Sequence, residues 1–226
     1  GGLSNVIVVS AAMPLLESIF KQTTDMRLLE LTDQNHPVLR QLVVRAPGTY
    51  HHSLIVGNLA EEAAEAIHAH PLLVRVGAYF HDIGKIFKSE YFVENQGREN
   101  RHDRLSPSMS ALILISHVKE GVDLAREHKL PGEIIELIAQ HHGTSLIRYF
   151  YEKAKAAKGD AAEPREEAFC YPGPKPQTRE AGILMLADIT EASSRTLPDT
   201  SAGRLAGLVE RVVQSAFADG QLDECN

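Results

Sequence analysis

Cysteine is scarce. The two present, Cys170 and Cys225, lie far apart and form no CxxC pair, which speaks against a disulfide framework or a cysteine-based zinc knuckle and fits a reducing, cytoplasmic environment. Long apolar runs are missing too. The longest, Val6 to Leu16, is interrupted by Ser10 and falls short of the roughly 20 residues that a spanning helix needs. No positively charged stretch precedes it, so it does not read as a secretory leader. Positive charge is in deficit, with 23 Lys and Arg against 30 Asp and Glu and a net charge of −7. That balance argues against a protein that coats DNA or RNA through a basic face. A small anionic ligand stays open, because bound metals bring their own positive charge. Strand signals are few: Asn5 to Val9 and Leu42 to Val44 are the only β-branched runs. There is no internal repeat and no low-complexity tract.

What is present is ample apolar material. With 226 residues, 43% hydrophobic and 23% charged, the chain can bury a real core as one large domain or two small ones. Nearly every segment carries helical signals. Pro14 to Leu31 predicts an amphipathic helix or stalk, broken by Asn35-His36-Pro37, with a short element following to Arg45. Ala46 to Thr49 predicts a turn, with Thr49 capping a helix from Tyr50 to about His68. The next helix follows Pro71. Ser89 to Ser106 is polar and charged and predicts a long surface loop over one end of the bundle. Pro107 opens a helix to about His128 with Leu112, Ile115, Val118 and Val122 inward, and Pro131 opens another that Gly143 closes. Thr144 to Lys158, Glu180 to Arg195 and Ser201 to Phe217 predict three more, with a Pro- and Gly-rich loop from Gly159 to Gln177 between the first two. The expected fold class is all-α, one helical bundle with an N-terminal helical extension over residues 1–45. The start at Gly1-Gly2 and the charged end from Asp219 to Asn226 give the chain the look of a piece of a longer protein.

The organising stretch is Tyr79-Phe80-His81-Asp82-Ile83-Gly84-Lys85. Leu72, Leu73, Val76, Tyr79, Phe80, Ile83, Ile86 and Phe87 make one broad apolar stripe through it. A histidine and an aspartate in such a stripe must be solvated, paired or metal-bound, because an unpaired buried carboxylate is costly. The other helices add to the pair. His51-His52 opens one, His117 lies inside another, His141-His142 ends a third, and Asp188 interrupts Leu184-Met185-Leu186-Ala187 in a fourth. Imidazoles and carboxylates drawn inward from several helices are the material of a dinuclear centre. Such donors favour iron, manganese, zinc, cobalt or nickel over calcium or magnesium. From the residues alone His51 and His52 are interchangeable, Asp188 could be a buried hydrogen-bonding group, and Lys85 could be the solvated end of its helix.

The ordered series His52, His81-Asp82, His117, His141-His142 and Asp188 resembles the metal-binding signature of the HD-domain phosphohydrolase superfamily. The strings Ala46-Pro-Gly-Thr-Tyr-His-His-Ser53, His81-Asp-Ile-Gly-Lys85, Leu105-Ser-Pro-Ser-Met-Ser110, His141-His-Gly-Thr144, Tyr171-Pro-Gly-Pro-Lys-Pro176 and Leu186-Ala-Asp188 are similar to those of one branch. That branch is the PgpH-type cyclic di-AMP phosphodiesterases, cytoplasmic domains of membrane receptors with an HD hydrolase. The likeness runs from about Pro14 to Glu224 and makes residues 46–226 the HD hydrolase domain.

The resemblance implies two divalent metal ions, iron or manganese before nickel, cobalt or zinc. One is held by His52, His81, Asp82 and Asp188, the other by His117, His141 and His142, with Asp82 bridging and a hydroxide between the ions as nucleophile. The implied substrate is a cyclic dinucleotide, cyclic di-AMP, opened to linear pApA, with Lys85 contacting a phosphate. A membrane anchor upstream, a bacterial inner-membrane location and a possible homodimer are implied as well, and duplex DNA or RNA is not. Gly143-Thr-Ser-Leu-Ile-Arg-Tyr-Phe150 departs from the continuation found in HD-GYP cyclic di-GMP enzymes. Arg101 stands before His102-Asp103 where the branch usually has proline, which leaves that second pair open, with a structural role or a contact to the site favoured over a ligand role. His36, His68, His70 and His128 are expected to be ordinary solvated residues, and Arg98, Arg101 and Arg104 solvated loop charges. The competing readings are another HD-type dinuclear metalloenzyme, either a cyclic di-GMP or other nucleotide phosphohydrolase or a di-iron oxygenase, and a non-catalytic nucleotide sensor. Retention of all seven positions argues against the sensor.

Overall fold

The computed structural model describes residues 23–97, 99–157 and 163–226. Among them are nine α-helices: α1 (Asp25–Leu31), α2 (Pro37–Arg45), α3 (Pro47–Ala66), α4 (Pro71–Phe80), α5 (Pro107–Glu127), α6 (Gly132–Gln140), α7 (Arg148–Ala157), α8 (Arg179–Ser194) and α9 (Ala202–Ala218). Short 3-10 turns at Ile83–Phe87, Ser89–Tyr91, Val93–Asn95 and Arg101–Arg104 join α4 to α5. No strand occurs among the described residues, only an antiparallel bridge between Leu146 and Cys170.

Prolines and small caps set the helix starts. Pro37, Pro47, Pro71 and Pro107 occupy the first turns of α2 to α5, where a missing N–H costs nothing. Thr24, Ser106 and Thr178 accept from the backbone N–H three residues on, satisfying an otherwise orphaned donor. The main core gathers Leu28, Leu39 and Leu42 from α1 and α2, Val56 from α3, Val74 and Phe80 from α4, Ile134 and Ile138 from α6 and Leu184 from α8. A satellite of Ala111, Phe150 and Phe169 packs α7 onto α5. α4 is central, with Val74, Val76, Gly77, Ala78, Tyr79 and Phe80 all buried.

Several local expectations change. The stretch expected to be one helix from Pro14 to Leu31 is broken at Thr23 and Thr24, and α1 begins at Asp25, where Thr24 is extended (φ −77°, ψ 155°) and caps it. Residues 14–22 of that expectation, and the Asn5 to Val9 run, lie outside the described residues. Leu42 to Val44 is helical, within α2. Thr49 is not a cap: α3 already begins at Pro47, and the Thr49 hydroxyl donates instead to Glu94 at 2.9 Å. On α5 the buried face is Ser110, Ala111, His117, Val118, Gly121, Leu124 and Ala125, while Leu112 is 58% exposed. The helix is turned so that His117 and the small residues face the 3-10 turn at Ile83–Phe87. α7 starts four residues later than expected, because Ile147 donates to the Phe169 carbonyl at 2.9 Å and Tyr171 to the Ser145 carbonyl at 3.0 Å.

Ser89 to Ser106 is a strap and not a surface loop, since Phe92 and His102 are buried within it; Arg98 lies outside the described residues. Two of the histidines expected in solvent have structural work. His70 caps α4 through Leu73 N–H and lies 3.3 Å from Asp25. His36 sets its ring edge against Phe80 at 5.2 Å. No helix among the described residues is long and apolar enough to cross a membrane.

Candidate metal centre

Five helices and one 3-10 turn bring their polar side chains to one place beneath the strap. His52 comes from α3, and His81 ends α4. Asp82 starts the 3-10 turn that follows, which shows why helical periodicity alone misplaced the pair inside a continuous helix. His117 lies on α5, His141 ends α6 with His142 next, and Asp188 lies on α8. All are buried except His142, whose side chain is 20% exposed. Their ligating atoms fall into two groups, His52, His81 and Asp188 on one side and Asp82, His117, His141 and His142 on the other.

Asp82 stands between the two groups. Its Oδ2 is 3.1 Å from His81 Nε2 and 3.5 Å from His52 Nε2, while Oδ1 is 3.2 Å from His117 Nε2 and 3.7 Å from His141 Nε2. Asp188 places Oδ1 3.0 Å from His52 Nε2 and 3.7 Å from His81 Nε2, with Oδ2 3.7 Å from His142 Nδ1. His51 is exposed and takes no part, which separates the two neighbours that the sequence left interchangeable.

The imidazoles are fixed from behind. His81, His117 and His141 turn Nδ1 onto the carbonyls of Ala78, Leu114 and Ile138 at 2.7, 2.5 and 2.7 Å. A carbonyl can only accept, so Nδ1 carries the proton and the Nε2 lone pair faces the centre. His52 does the same toward Glu191 Oε2 at 2.5 Å.

The donor set fits a pair of metal ions. His81 Nε2 and Asp82 Oδ1 are buried without a hydrogen-bond partner, and Asp82 Oδ2 meets only the Lys85 ammonium at 2.7 Å, so the short distances among His81, Asp82 and His117 are contacts between co-ligands and not hydrogen bonds. Such groups left unsatisfied are expensive, and a cation shared among them removes the cost. Electrostatics point the same way. Burial works against ionised Asp82, yet His81 and Lys85 beside it hold its carboxyl well below the usual range. Burial likewise opposes Asp188, but the His52 and His81 rings beside it hold its carboxyl well below that range. Burial also opposes a charged His81, and the two aspartates outweigh it and hold the imidazole at about 10. On the other side burial, opposed by the Asp188 charge, pulls His142 down to about 3, leaving a neutral ring ready to ligate. The two buried carboxylates thus demand positive charge, and the His141 and His142 rings resist supplying it as protons.

Lys85 is not a solvated helix end. Its Nζ lies 2.7 Å from Asp82 Oδ2 and 2.9 Å from Glu94 Oε1, over the Phe92 ring. Glu94 is in turn tied to Thr49, and Asn95 Oδ1 accepts from Gly48 N and Thr49 N at 2.9 and 3.2 Å. The strap is thereby fastened to the first turn of α3. His102 belongs to the same structure: Nε2 donates to the Tyr91 carbonyl at 2.7 Å and the ring packs on Phe150. Asp103, Arg101 and Arg104 are exposed, the last within 3.2 Å of Glu99.

Sequence reasoning missed Glu94, Glu191 and Arg195, and took Tyr171 only as part of a string. Tyr171 stacks on His142 with centroids 4.2 Å apart at 27°. Glu191 had a readable signal, a second acid one turn after Asp188 on the same helix. A cavity of about 730 Å³ opens over the centre, walled by Lys85, Phe92, Leu114, Tyr149, Phe150 and Tyr171. Its size, its largely apolar exposed surface and the polar groups set among it, Lys85, Glu94, Arg195 and the centre's own His and Asp residues, are those of a small-molecule site.

A family model described as HD domain matches residues 49–193. The chain is 46% identical over 226 residues to the cyclic-di-AMP phosphodiesterase PgpH of Bacillus subtilis (strain 168), covering all of this chain and 31% of that protein. It is 44% identical to PgpH of Listeria monocytogenes serotype 1/2a (strain 10403S), again spanning 31% of its length. The chain therefore spans about a third of these relatives. A crystal structure of the L. monocytogenes phosphodiesterase PgpH HD domain superposes with a TM-score of 0.80 at 44% identity, covering 85% of this chain and 89% of that one. A second, of that domain in complex with cyclic-di-AMP, also gives 0.80, covering 84% and 87%.

Proposed function

The chain belongs to the HD-domain family, in the branch of the PgpH HD domains, and from that premise we propose that it is a metal-dependent phosphodiesterase opening cyclic di-AMP to linear pApA. The observation that carries the reading is the division of Asp82, one oxygen toward each group of histidines, on the floor of a cavity sized for a small molecule. Two divalent transition-metal ions, iron or manganese before nickel, cobalt or zinc, would be held there. His52, His81 and Asp188 serve one and His117, His141 and His142 the other, with Asp82 shared. When bound, such ions lower the pKa of water and neutralise charge on phosphoryl oxygens.

The chain's own residues do the rest. The Nδ1 hydrogen bonds hold three rings with Nε2 inward before substrate arrives, so little reorganisation is left for the reaction. Lys85, tied to Asp82 and Glu94, keeps a positive charge at the cavity floor, where a phosphate oxygen meets it as a point charge. Phe92, Phe150 and Tyr171 offer flat apolar surface for purines and displace water. The same reading extends to a full-length protein anchored in the bacterial inner membrane with this domain in the cytoplasm, and to a possible homodimer. Cell fractionation of the full-length protein and light scattering of the domain check those points.

The decisive experiment is anaerobic turnover of cyclic di-AMP and cyclic di-GMP in parallel by manganese-loaded protein, with products separated by chromatography. A higher kcat/KM for cyclic di-AMP, with pApA as product, is expected. Equal or reversed values would overturn the substrate assignment, and product that forms only with oxygen would favour the oxygenase.

A further inference from the structure

We propose that Glu191 and Arg195 are a positioning pair that makes the His52 side of the centre the tighter of its two metal positions and the first to fill. The inference rests on the dinuclear reading above and concerns its asymmetry. His81, His117 and His141 each present Nε2 inward, and each hands its Nδ1 proton to a carbonyl of its own helical turn. His52 alone gives Nδ1–H to a carboxylate, Glu191 Oε2 at 2.5 Å, with both side chains buried at 4% and 6% exposure.

That carboxylate is itself held on two sides. Arg195 Nε and Nη2 lie 3.0 and 2.7 Å from Glu191 Oε1, and Nη2 lies 2.8 Å from Oε2. Asp188 and Glu191 on α8 and Arg195 at its C-cap follow one another at one-turn spacing. A single helix therefore carries a ligand, the group that orients a second ligand, and the anchor of that group. A forked guanidinium on a carboxylate fixes both its position and its plane.

Two consequences favour the His52 side. A carboxylate accepts more strongly than an amide carbonyl, so it makes the imidazole a better donor at Nε2. The anionic donors are also uneven. The His52 side has Asp188 Oδ1 and Asp82 Oδ2, the latter also met by Lys85 Nζ at 2.7 Å, with the Glu191 charge behind His52 balanced by Arg195, whereas Asp188 Oδ2 comes only to 3.7 Å from His142 Nδ1. The other side has three imidazoles and Asp82 Oδ1, backed by carbonyls. A divalent cation gains more where more negative charge is held in place.

The test is a titration of chelator-treated protein with Mn(II), counting free ion by electron paramagnetic resonance, for wild type, Glu191→Ala, Glu191→Gln and Arg195→Gln. Turnover is left out because Arg195 also lines the cavity. Wild type should show two classes of site. Glu191→Ala should weaken the tighter class by about 10- to 100-fold, the range for loss of an outer partner, and leave the other class in place. Glu191→Gln, which keeps an acceptor for Nδ1–H, should fall between Glu191→Ala and wild type, and Arg195→Gln should weaken the same class. Ring ¹⁵N shifts of His52 should report the Nδ1–H tautomer in wild type and Glu191→Gln and its loss in Glu191→Ala. Should Glu191→Ala fail to fold by circular dichroism, Glu191→Gln and Arg195→Gln carry the same comparison. Equal weakening of both classes, or unchanged affinity in the folded variants, would overturn the proposal while leaving the dinuclear reading intact. A wild-type protein that takes up no Mn(II) would remove both.

Discussion

Gly84 should be among the least tolerant positions in the protein. A Cβ on it falls 1.9 Å from the His117 carbonyl oxygen, 2.6 Å from the Gly121 nitrogen and 2.8 Å from the His117 carbonyl carbon. All three atoms are α5 backbone, so no rotamer change relieves the overlap. The 3-10 turn and α5 must part by about 1.5 Å to bring the closest pair to ordinary contact. Overpacking a close-packed site costs about 1–3 kcal/mol and sometimes more, and a clash with backbone belongs at the upper end. Taking about 3 kcal/mol, and about 2–4 °C per kcal/mol for a domain of this size, Gly84→Ala should lower Tm by roughly 6–12 °C. The separation also pulls Asp82 Oδ1 away from His117 Nε2, now at 3.2 Å, so metal content should fall with stability. Gly203→Ala is the control. It lies in the first turn of α9 with nothing within 4 Å of its Cβ, and should be neutral or stabilising by about 0.5–1 kcal/mol. Thermal and urea unfolding followed by circular dichroism, with metal counted by plasma emission, measure both effects. A Gly84→Ala protein within about 0.5 kcal/mol of wild type, with its metal complement intact, would refute the reasoning.

Asp82→Asn should stay folded, lose metal from both positions and lose nearly all turnover; two bound ions with near-normal kcat would show that Asp82 is not shared. Lys85→Met leaves Glu94 and Asp82 Oδ2 without their ammonium partner. That should cost about 3 kcal/mol in chelator-treated protein and less once cations are present, and an equal loss in both urea titrations would contradict it. Burial, with His128 nearby, pulls the His36 imidazole below its usual range. The unfolded chain therefore takes up a proton near pH 6.5 that the folded chain refuses. Stability from this group is complete above about pH 6.5 and drains away as pH falls toward the lowered folded value. His36→Gln should flatten the change in urea midpoint between pH 7.5 and 5, and identical slopes in the two proteins would count against it.

The helices and the seven converging His and Asp residues were legible because both announce themselves locally. Apolar residues at helical spacing mark the elements, and a polar group inside such a stripe has few fates. The strap was not legible. Ser89 to Ser106 is charged and carries no period, and its order comes from contacts 45 to 47 residues away, Glu94 and Asn95 with Gly48 and Thr49. Composition says nothing about a hydrogen bond of that range. Leu112 failed for a different reason: an apolar residue at the right spacing was outvoted by His117 and Gly121, which face the turn at Gly84, and by Ala111, which packs on Phe150 and Phe169. Glu191 failed because an acid near the end of a helix usually faces water, and only the partner on α3 makes it internal.

The two halves of the centre differ in how far the chain must travel to build them. His117 and His141 are 24 residues apart in sequence, while His52 and Glu191 are 139 apart. The longer closure costs about 1.6 kcal/mol more in chain entropy on the logarithmic loop scale. It also cannot happen until α8 has been synthesised and has come back to α3. In a chain emerging from the ribosome, the His117 side is thus a neighbourhood contact available early, and the His52 side is a late meeting of distant segments. The position argued to hold its ion more tightly is the one that comes into being last.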